Sequence, residues 1–205
     1  MSIELTSGGG NYDTIVPVAT AKAYMHQDES DDDTLIALLI DDAGEWAETY
    51  TRRQLYTATR TLRMQGFYDP RYHEPGTAGI RLPYSPLATI TSIAYVDLAG
   101  TSQTVTSTDY QLDIKSTPGR VMPVWGGTWP TPRDQTYNTV TIVYTCGFGV
   151  TAASVPARIR KAMLMQIATA YEYRESVVGG MSIAEVPRNL QAESLLTAER
   201  VVEFV

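Results

Sequence analysis

Two segments near the ends of the chain place apolar residues in steps of three or four. One covers residues 35–50 and the other covers residues 155–175. This spacing predicts two amphipathic helices, each of which buries one stripe against another element. A shorter helix is predicted over residues 18–26, because Pro17 suits the start of a helix. The predicted stripes are Leu35, Leu39, Ala43, Trp46 and Tyr50 in the first long helix, and Ile159, Met163, Ile167, Ala170 and Tyr171 in the second.

Between these helices the period of the pattern changes to two. Polar and apolar residues alternate around 59–64, 110–114 and 139–145, and residues 90–96 form a denser β-rich run. This alternation is typical of short strands. Turns rich in Gly, Pro and Asp separate the strands and leave no room for helical crossovers, so the sheet is predicted to be antiparallel. The fold class is therefore predicted as α+β, a helical core from N- and C-terminal helices with an inserted antiparallel β domain.

The predicted organisation has five parts. The glycines at positions 8–10 indicate a flexible start, whereas the glycines at 179 and 180 and Pro187 separate an apolar tail from the second long helix. The parts are a flexible leader at 1–16, the N-terminal helices of the core at 17–53, the β insertion at 54–150, the long core helix at 151–178 and a C-terminal docking tail at 179–205.

The charge of the chain is unevenly distributed. The 205 residues carry a formal net charge of −7, which argues against nucleic-acid binding through a basic surface. Residues 1–50 contain eleven acidic residues and one lysine, whereas residues 51–205 contain twelve acidic and fifteen basic residues. An acidic part and a mildly basic part favour self-association through complementary surfaces. The alternative interpretation is a solvated acidic helix.

Candidate chemistry is sparse. The two histidines, His26 and His73, have no partner pattern of a catalytic site, and the single cysteine, Cys146, excludes an intrachain disulfide and is expected to be a small buried residue. Asp residues at 31–33 are interpreted as helix-capping groups, because a calcium loop would need a Gly and a terminal Glu. No catalytic residue, metal site or cofactor is predicted, and no apolar run reaches the length of a membrane span.

Two tryptophans flank a Gly-Gly turn. Exposed Trp125 and Trp129 would suit stacking on a sugar, which makes a β-rich carbohydrate-binding module one alternative function. The other interpretation is that one or both cover the edge of the sheet. Long helices at both ends of the chain argue against the carbohydrate module.

Several short motifs follow one another along the chain. They are LIALLIDDA at 35–43, ETYTRRQL at 48–55, LPYSPL at 82–87, Trp129-Pro130 with Arg133, VTIVYTCGFG at 140–149, VPARIRKA at 155–162, YEYRE at 171–175, and Leu195-Leu196 with Arg200-Val201. Their order resembles that of tailed-phage head–tail connector proteins, also called adaptor or head-completion proteins. The resemblance runs from about residue 16 to residue 201, and it departs from the family at residues 64–79, which match nothing, and at Cys146, where a small residue is expected.

This resemblance implies a structural virion protein without catalytic residues. Such proteins form a ring, here expected to have twelve copies, beneath the portal protein, where the ring extends the DNA channel and DNA passes without specific binding. Stopper or tail-completion proteins dock on the ring, and no membrane is involved. The implied location is the head–tail interface of the virion, after assembly in the host cytoplasm. Another neck or tail-completion protein is the alternative function.

Two surfaces follow as hypotheses. We expect some of Asp41, Asp42, Glu45 and Glu48 to face the DNA channel or a neighbouring subunit, because an acidic lining would repel phosphates. The apolar tail is expected to pack on a neighbour or on the portal. The alternative is that the tail folds back on its own helices. The expected contacts of the tail are Leu195, Leu196, Arg200, Val201 and Phe204.

Overall fold

The computed structural model describes residues 2–8, 10, 12–73, 78–173 and 189–202. The chain divides into two compact units. The helical unit contains the described residues of 10–51 and 149–200, and the β unit contains those of 1–9, 52–148 and 201–205. Helices and antiparallel strands are thus combined in an α+β fold, which confirms the predicted fold class.

The helical unit is built around two long helices that pack on each other. The elements of this unit are α1 (Tyr12–Ile15), α2 (Val18–Met25), α3 (Asp33–Thr51), a 3-10 turn (Ala152–Ser154), α4 (Ala157–Glu172) and α5 (Leu190–Thr197). The two long helices are α3 and α4. Helix α3 also contacts the three shorter helices, and α4 contacts α2 and α5.

The buried face of α3 is rotated from the predicted stripe. Ile36, Ile40 and Ala47 are fully buried, whereas the predicted Leu35 and Leu39 are only half-buried. The rotation brings Gly44 under the ring of Tyr12, and a Cβ on Gly44 would overlap that ring. The helix was correctly predicted, but the sequence could not show which of its adjacent apolar rows meets the neighbours. In α4 the predicted Ile159, Met163 and Ile167 are buried as expected.

The acidic residues before α3 join helices within the unit. The Tyr171 hydroxyl of α4 donates a hydrogen bond to Asp32 Oδ2 at 2.6 Å. Lys22 Nζ of α2 lies 2.7 Å from Asp33 Oδ1. These two carboxylates therefore fix the start of α3 against two other helices. Ile36 also donates its backbone N–H to the carbonyl of Asp32, which begins the helical hydrogen bonds.

The β unit contains two antiparallel sheets. The strands are β1 (Ser2–Gly8), β2 (Ala58–Met64), β3 (Ile80–Leu82), β4 (Leu87–Val96), β5 (Ser102–Thr104), β6 (Tyr110–Asp113), β7 (Gly119–Pro123) and β8 (Val140–Cys146). The five-stranded sheet has the order β1-β2-β8-β4-β5, and the three-stranded sheet has the order β3-β7-β6. All pairings between the named strands are antiparallel, as predicted.

The core of the β unit follows the alternation of its central strand. Val140, Ile142 and Tyr144 of β8 point inward and are fully buried. The Tyr144 hydroxyl donates to the carbonyl of Pro83 at 2.9 Å, and burial raises the pKa of Tyr144. The nearly buried Arg60 is also satisfied, because its Nε donates to Gln54 Oε1 at 2.7 Å. The buried polar groups of Tyr144 and Arg60 therefore have partners, whereas the buried hydroxyl of Ser85 has none among the described residues.

The expectation of a flexible leader at 1–16 is wrong for most of its described residues. Ser2–Gly8 form strand β1, which pairs with β2, and Tyr12–Ile15 form helix α1. The Thr6 and Thr61 hydroxyls are 2.6 Å apart, and Glu4 pairs with Arg63. The glycines indicated flexibility. A strand at a sheet edge, however, is stabilised by hydrogen bonds to a partner strand that is distant in the sequence, and local composition does not reveal that partner.

Candidate interaction surfaces

The described residues contain no group of three or more His, Cys, Asp or Glu side chains arranged to hold a metal ion. His26 ends α2 in the left-handed conformation, and His73 lies beside the ring of Tyr68. Cys146 is fully buried at the end of β8, opposite Ala58 of β2 and Leu87 of β4, as a small core residue would be. Within the described ranges, no helix is both long and apolar enough to traverse a bilayer.

An acidic face is formed on α3 by Leu38, Asp41, Asp42 and Glu45. These positions are three or four residues apart and therefore share one side of the helix. All four residues are exposed. Leu38 is 64% exposed, although it is apolar and shares this side of the helix with three acids. In the part of the chain that the structure describes, none of the three carboxylates has a hydrogen-bonding or ionic partner.

Glu48 does not belong to this face. It is only 8% exposed and lies on the buried side of α3 with Gly44 and Thr51. The expectation that Glu48 faces a channel or a neighbour is therefore wrong for this conformation. Glu48 lies four residues after Gly44, which is about one helical turn. The two residues therefore share one side of α3, and the rotation that buries Gly44 also buries Glu48.

The acidic face carries an electrostatic cost for the isolated chain. Asp41 and Glu45 are four residues apart, and Asp42 and Glu45 are three apart, so each pair repels across the helix surface. Such like-charge pairs destabilise a helix by about 0.2–0.5 kcal/mol each. None of the four positions contributes to the core. These side chains therefore do not stabilise the isolated helix.

The described part of the predicted docking tail folds onto its own helices. Helix α5 packs on α4 and α3, and Leu196 is fully buried. Asn189 caps α5, because its Oδ1 accepts from Ala192 N at 3.1 Å. The Tyr50 hydroxyl of α3 and Thr197 Oγ1 of α5 are 2.9 Å apart. These contacts favour the alternative reading of the tail over docking on another protein.

The five predicted tail contacts are therefore in different environments. Leu196 and Val201 are buried within this chain, so their assignment as contacts to a neighbour or portal is wrong for this conformation. Leu195 is half-buried, and the exposed Arg200 places its guanidinium 5.5 Å from the centre of the Tyr50 ring. Phe204 lies outside the described residues.

The two tryptophans do not form one aromatic platform. Trp129 is buried and stacks on Phe67, with ring centres 4.8 Å apart and an interplanar angle of 4°. Its Nε1 donates to the carbonyl of Ala78 at 2.7 Å. Trp125 is fully exposed on a turn closed by a hydrogen bond from Gly127 N to Val124 O. The sugar-stacking hypothesis used both rings, and the structure leaves only Trp125 accessible for it.

The hairpin of β6 and β7 exposes several apolar side chains that the sequence did not identify as a surface. The turn between the two strands is held by Asp113, which accepts hydrogen bonds from the Ser116 hydroxyl and from Arg120. These hydrogen bonds lower the pKa of Asp113. The alternation of β6 can be seen in the sequence. Alternation alone could not show that β6 is the edge strand of its sheet and that its apolar side chains stay partly exposed. The exposed residues are Leu112, Ile114, Met122, Val124 and Trp125.

Comparison with known proteins gives matches only at the level of structure. No protein-family model matches the sequence, and no curated protein matches it. The fold is similar to that of a chain in the neck of an empty gene transfer agent particle, computed with C6 symmetry. That match has a TM-score of 0.74 and 21% identity, and it covers 100% of this chain and 98% of the other.

Two further structures give similar matches. A chain in the neck of the native particle, computed with C12 symmetry, has a TM-score of 0.73 at 21% identity, and a chain in the virion of the native particle has 0.75 at 20% identity. Both cover 100% of this chain and 98% of theirs. The resemblance to phage connector proteins predicted a fold of this kind, and these matches confirm that fold.

Proposed function

We propose that this chain is a structural virion protein, a head–tail adaptor that forms a ring beneath the portal protein. The ring extends the DNA channel and provides the docking surface for stopper or tail proteins. The observation that carries this proposal is the full-length match to chains in particle necks, which includes both the helical unit and the β unit. The motif order described above supports the same assignment independently.

A homo-oligomeric ring, with twelve copies, is the proposed assembly. Similar chains belong to neck structures computed with C6 and C12 symmetry. A ring requires each copy to use two different surfaces, one for each neighbour. The unpaired acidic face on α3 supports such an arrangement, since it costs stability in a single chain.

The proposed role toward DNA is passage without binding. A net charge of −7 disfavours affinity for phosphates, and acidic groups repel them over a Debye length of about 8 Å at physiological salt. We propose no catalysis and no cofactor, because the exposed features of the described residues are helix faces and sheet edges rather than clusters that combine acids with bases. The protein would be assembled in the host cytoplasm and located at the head–tail interface of the virion.

Another neck or tail-completion protein is the second candidate. It is favoured by the match to a chain of the whole virion, because that match does not single out contact with a portal. The two candidates differ in their partner: an adaptor binds the portal directly, whereas a tail-completion protein binds only after an adaptor is present.

The test is to mix the purified chain with its portal protein. Size-exclusion chromatography and negative-stain microscopy should show a ring added to one end of the portal. Cryo-electron microscopy of the intact particle should place this chain at the junction of head and tail. Binding to a pre-formed portal–adaptor complex, but not to the portal alone, would support the second candidate. Absence from the neck of the particle would contradict both.

A further inference from the structure

The beginning of α4 carries positive charge without a partner. Arg158 and Lys161 are three residues apart on one side of the helix, and both are exposed. Across the described ranges, neither forms an ion pair or a hydrogen bond through its side chain. Cations are unfavourable near a helix N-terminus, because the helix dipole is positive there. We call the surface of these two side chains the basic end of α4; Val150, seven residues before the helix begins, is also exposed.

The acidic face of α3 and the basic end of α4 are complementary in two respects. One presents Asp41, Asp42 and Glu45, and the other presents Arg158 and Lys161. Each also exposes an aliphatic side chain, Leu38 on the acidic face and Val150 before the basic end. An apolar centre with charged residues around it is the usual anatomy of a protein interface. The three acids and Arg158 are placed where they disfavour the isolated helix, whereas Lys161 lies beyond the first turn of α4.

We infer that the acidic face of α3 in one copy docks on the basic end of α4 in a second copy of this chain. This inference rests on the proposed ring and names the contact that builds it. The occupant is another copy because the chain itself supplies the opposite charge and the matching aliphatic residue. Two cations are too few to hold DNA, and a channel lining would not need Leu38. A copy that uses its two surfaces on two different neighbours forms a contact that propagates into a ring.

A charge swap tests this contact directly. The acidic-face variant replaces Asp41, Asp42 and Glu45 by Lys, and the basic-end variant replaces Arg158 and Lys161 by Glu. Each variant alone repels its own copies at every such contact. In a mixture, every contact between unlike variants is complementary. We expect sedimentation velocity to show self-association at least tenfold weaker than wild type for each variant, and recovery in the equimolar mixture with species larger than dimers.

A matched control separates this contact from net charge. Replacing Asp28, Glu29 and Asp31 by Lys changes the net charge as much as the acidic-face variant does. These three residues are also exposed, and they precede α3 rather than lying on its acidic face. The control should associate like wild type, and circular dichroism should show that all variants are folded. Equal loss in the control, or no recovery in the mixture, overturns the inference.

A second measurement identifies the contact by chemistry. A carbodiimide joins a lysine to a carboxylate that touches it, and the chain has three lysines, of which Lys22 already pairs with Asp33. In a mixture of ¹⁴N- and ¹⁵N-labelled wild-type protein, we expect mixed-label peptides that join Lys161 to Asp41, Asp42 or Glu45. Their absence overturns the inference. If rings still form on the portal without these cross-links, the proposed function stands and only this contact is wrong.

Discussion

The β unit and the helical unit use their charged side chains differently. In the β unit, Asp97 and Asp113 hold loops, because each accepts hydrogen bonds from nearby backbone and side-chain groups, and Asp69 forms an ion pair with Arg71. In the helical unit, Asp32 and Asp33 act in the same way, but the acidic face of α3 and the basic end of α4 lack partners in the described chain. These two helix surfaces therefore carry charge that the described chain leaves unpaired, as it also does at Asp28, Lys115 and Asp134.

Carboxylates in the β unit show this internal use in their pKa values. The pKa of Asp97 is lowered by hydrogen bonds from the Gln103 side chain and Thr101 N. Burial alone would raise the pKa of Asp69, but the hydrogen bonds and charge of Arg71 outweigh burial and lower it. These groups favour the ionised form because the folded chain surrounds them with donors.

The largest expected effect concerns the two tryptophans of the β unit. Trp129→Ala should lower the free energy of unfolding by about 3–5 kcal/mol, because it removes a buried ring stacked on Phe67. Trp125→Ala should change it by no more than about 0.5 kcal/mol, because that ring is exposed. Urea unfolding measures both. Similar losses in the two variants would contradict the burial described for Trp129.

The next effect tests the tail in the helical unit. Leu196→Ala should lower the free energy of unfolding by about 2–5 kcal/mol, because Leu196 is fully buried in this chain. Leu190→Ala is the control, since Leu190 is 69% exposed on the same helix and its loss should be near zero. Chemical unfolding of the isolated protein gives both values. Two equally small losses would mean that α5 leaves the helical unit in the free chain.

A smaller effect concerns the approach of Tyr12 to α3. Gly→Ala in an open helix interior usually gains up to about 1 kcal/mol. Gly44→Ala should instead cost about 1–3 kcal/mol, because the new methyl group overlaps the Tyr12 ring. Combining Gly44→Ala with Tyr12→Ala should reverse the sign of the Gly44→Ala effect. A double-mutant cycle measured by thermal unfolding tests this, and additive effects would refute the contact.

The hairpin turn of the β unit gives a pH dependence. The folded pKa of Asp113 lies below its ordinary value of 3.8, because the Ser116 hydroxyl and Arg120 favour the carboxylate. Its stabilisation is therefore complete above that value and is lost as the pH falls below it toward the folded pKa. Ser116→Ala should raise the pKa of Asp113, as measured by NMR titration, and reduce the loss of stability in acid. No change in the titration would exclude the Ser116 contact as the cause.

The smallest effect returns to the acidic face. Glu45→Lys should raise the free energy of unfolding by about 0.2–0.5 kcal/mol, because repulsion from Asp41 becomes attraction at the same helical spacing. The gain should fade at high salt, where exposed charges are screened. Thermal unfolding at two salt concentrations measures it. A loss of stability would show that Glu45 has a stabilising partner within the chain.

Much of the fold could be predicted because its signals are local. The helical spacing at 35–50 and 155–175 predicted α3 and α4, and the alternation of Val140, Ile142 and Tyr144 predicted the central strand β8. Strand β1 was missed, because pairing with residues of β2 that lie fifty or more positions away leaves little trace in its composition. The acidic face was partly predicted: its three exposed acids were named, but Glu48 was wrongly included and Leu38 was not identified.

The sequence by itself determined the type and order of the elements, because backbone propensity and the period of apolar residues act over a few residues. Only the tertiary structure decided which side of each element is covered. It buried Trp129 while leaving Trp125 exposed, turned Glu48 inward and packed Leu196 on its own helices. Exposure depends on neighbours that are distant in the chain, and a one-residue rotation of a helix moves each side chain by about 100°.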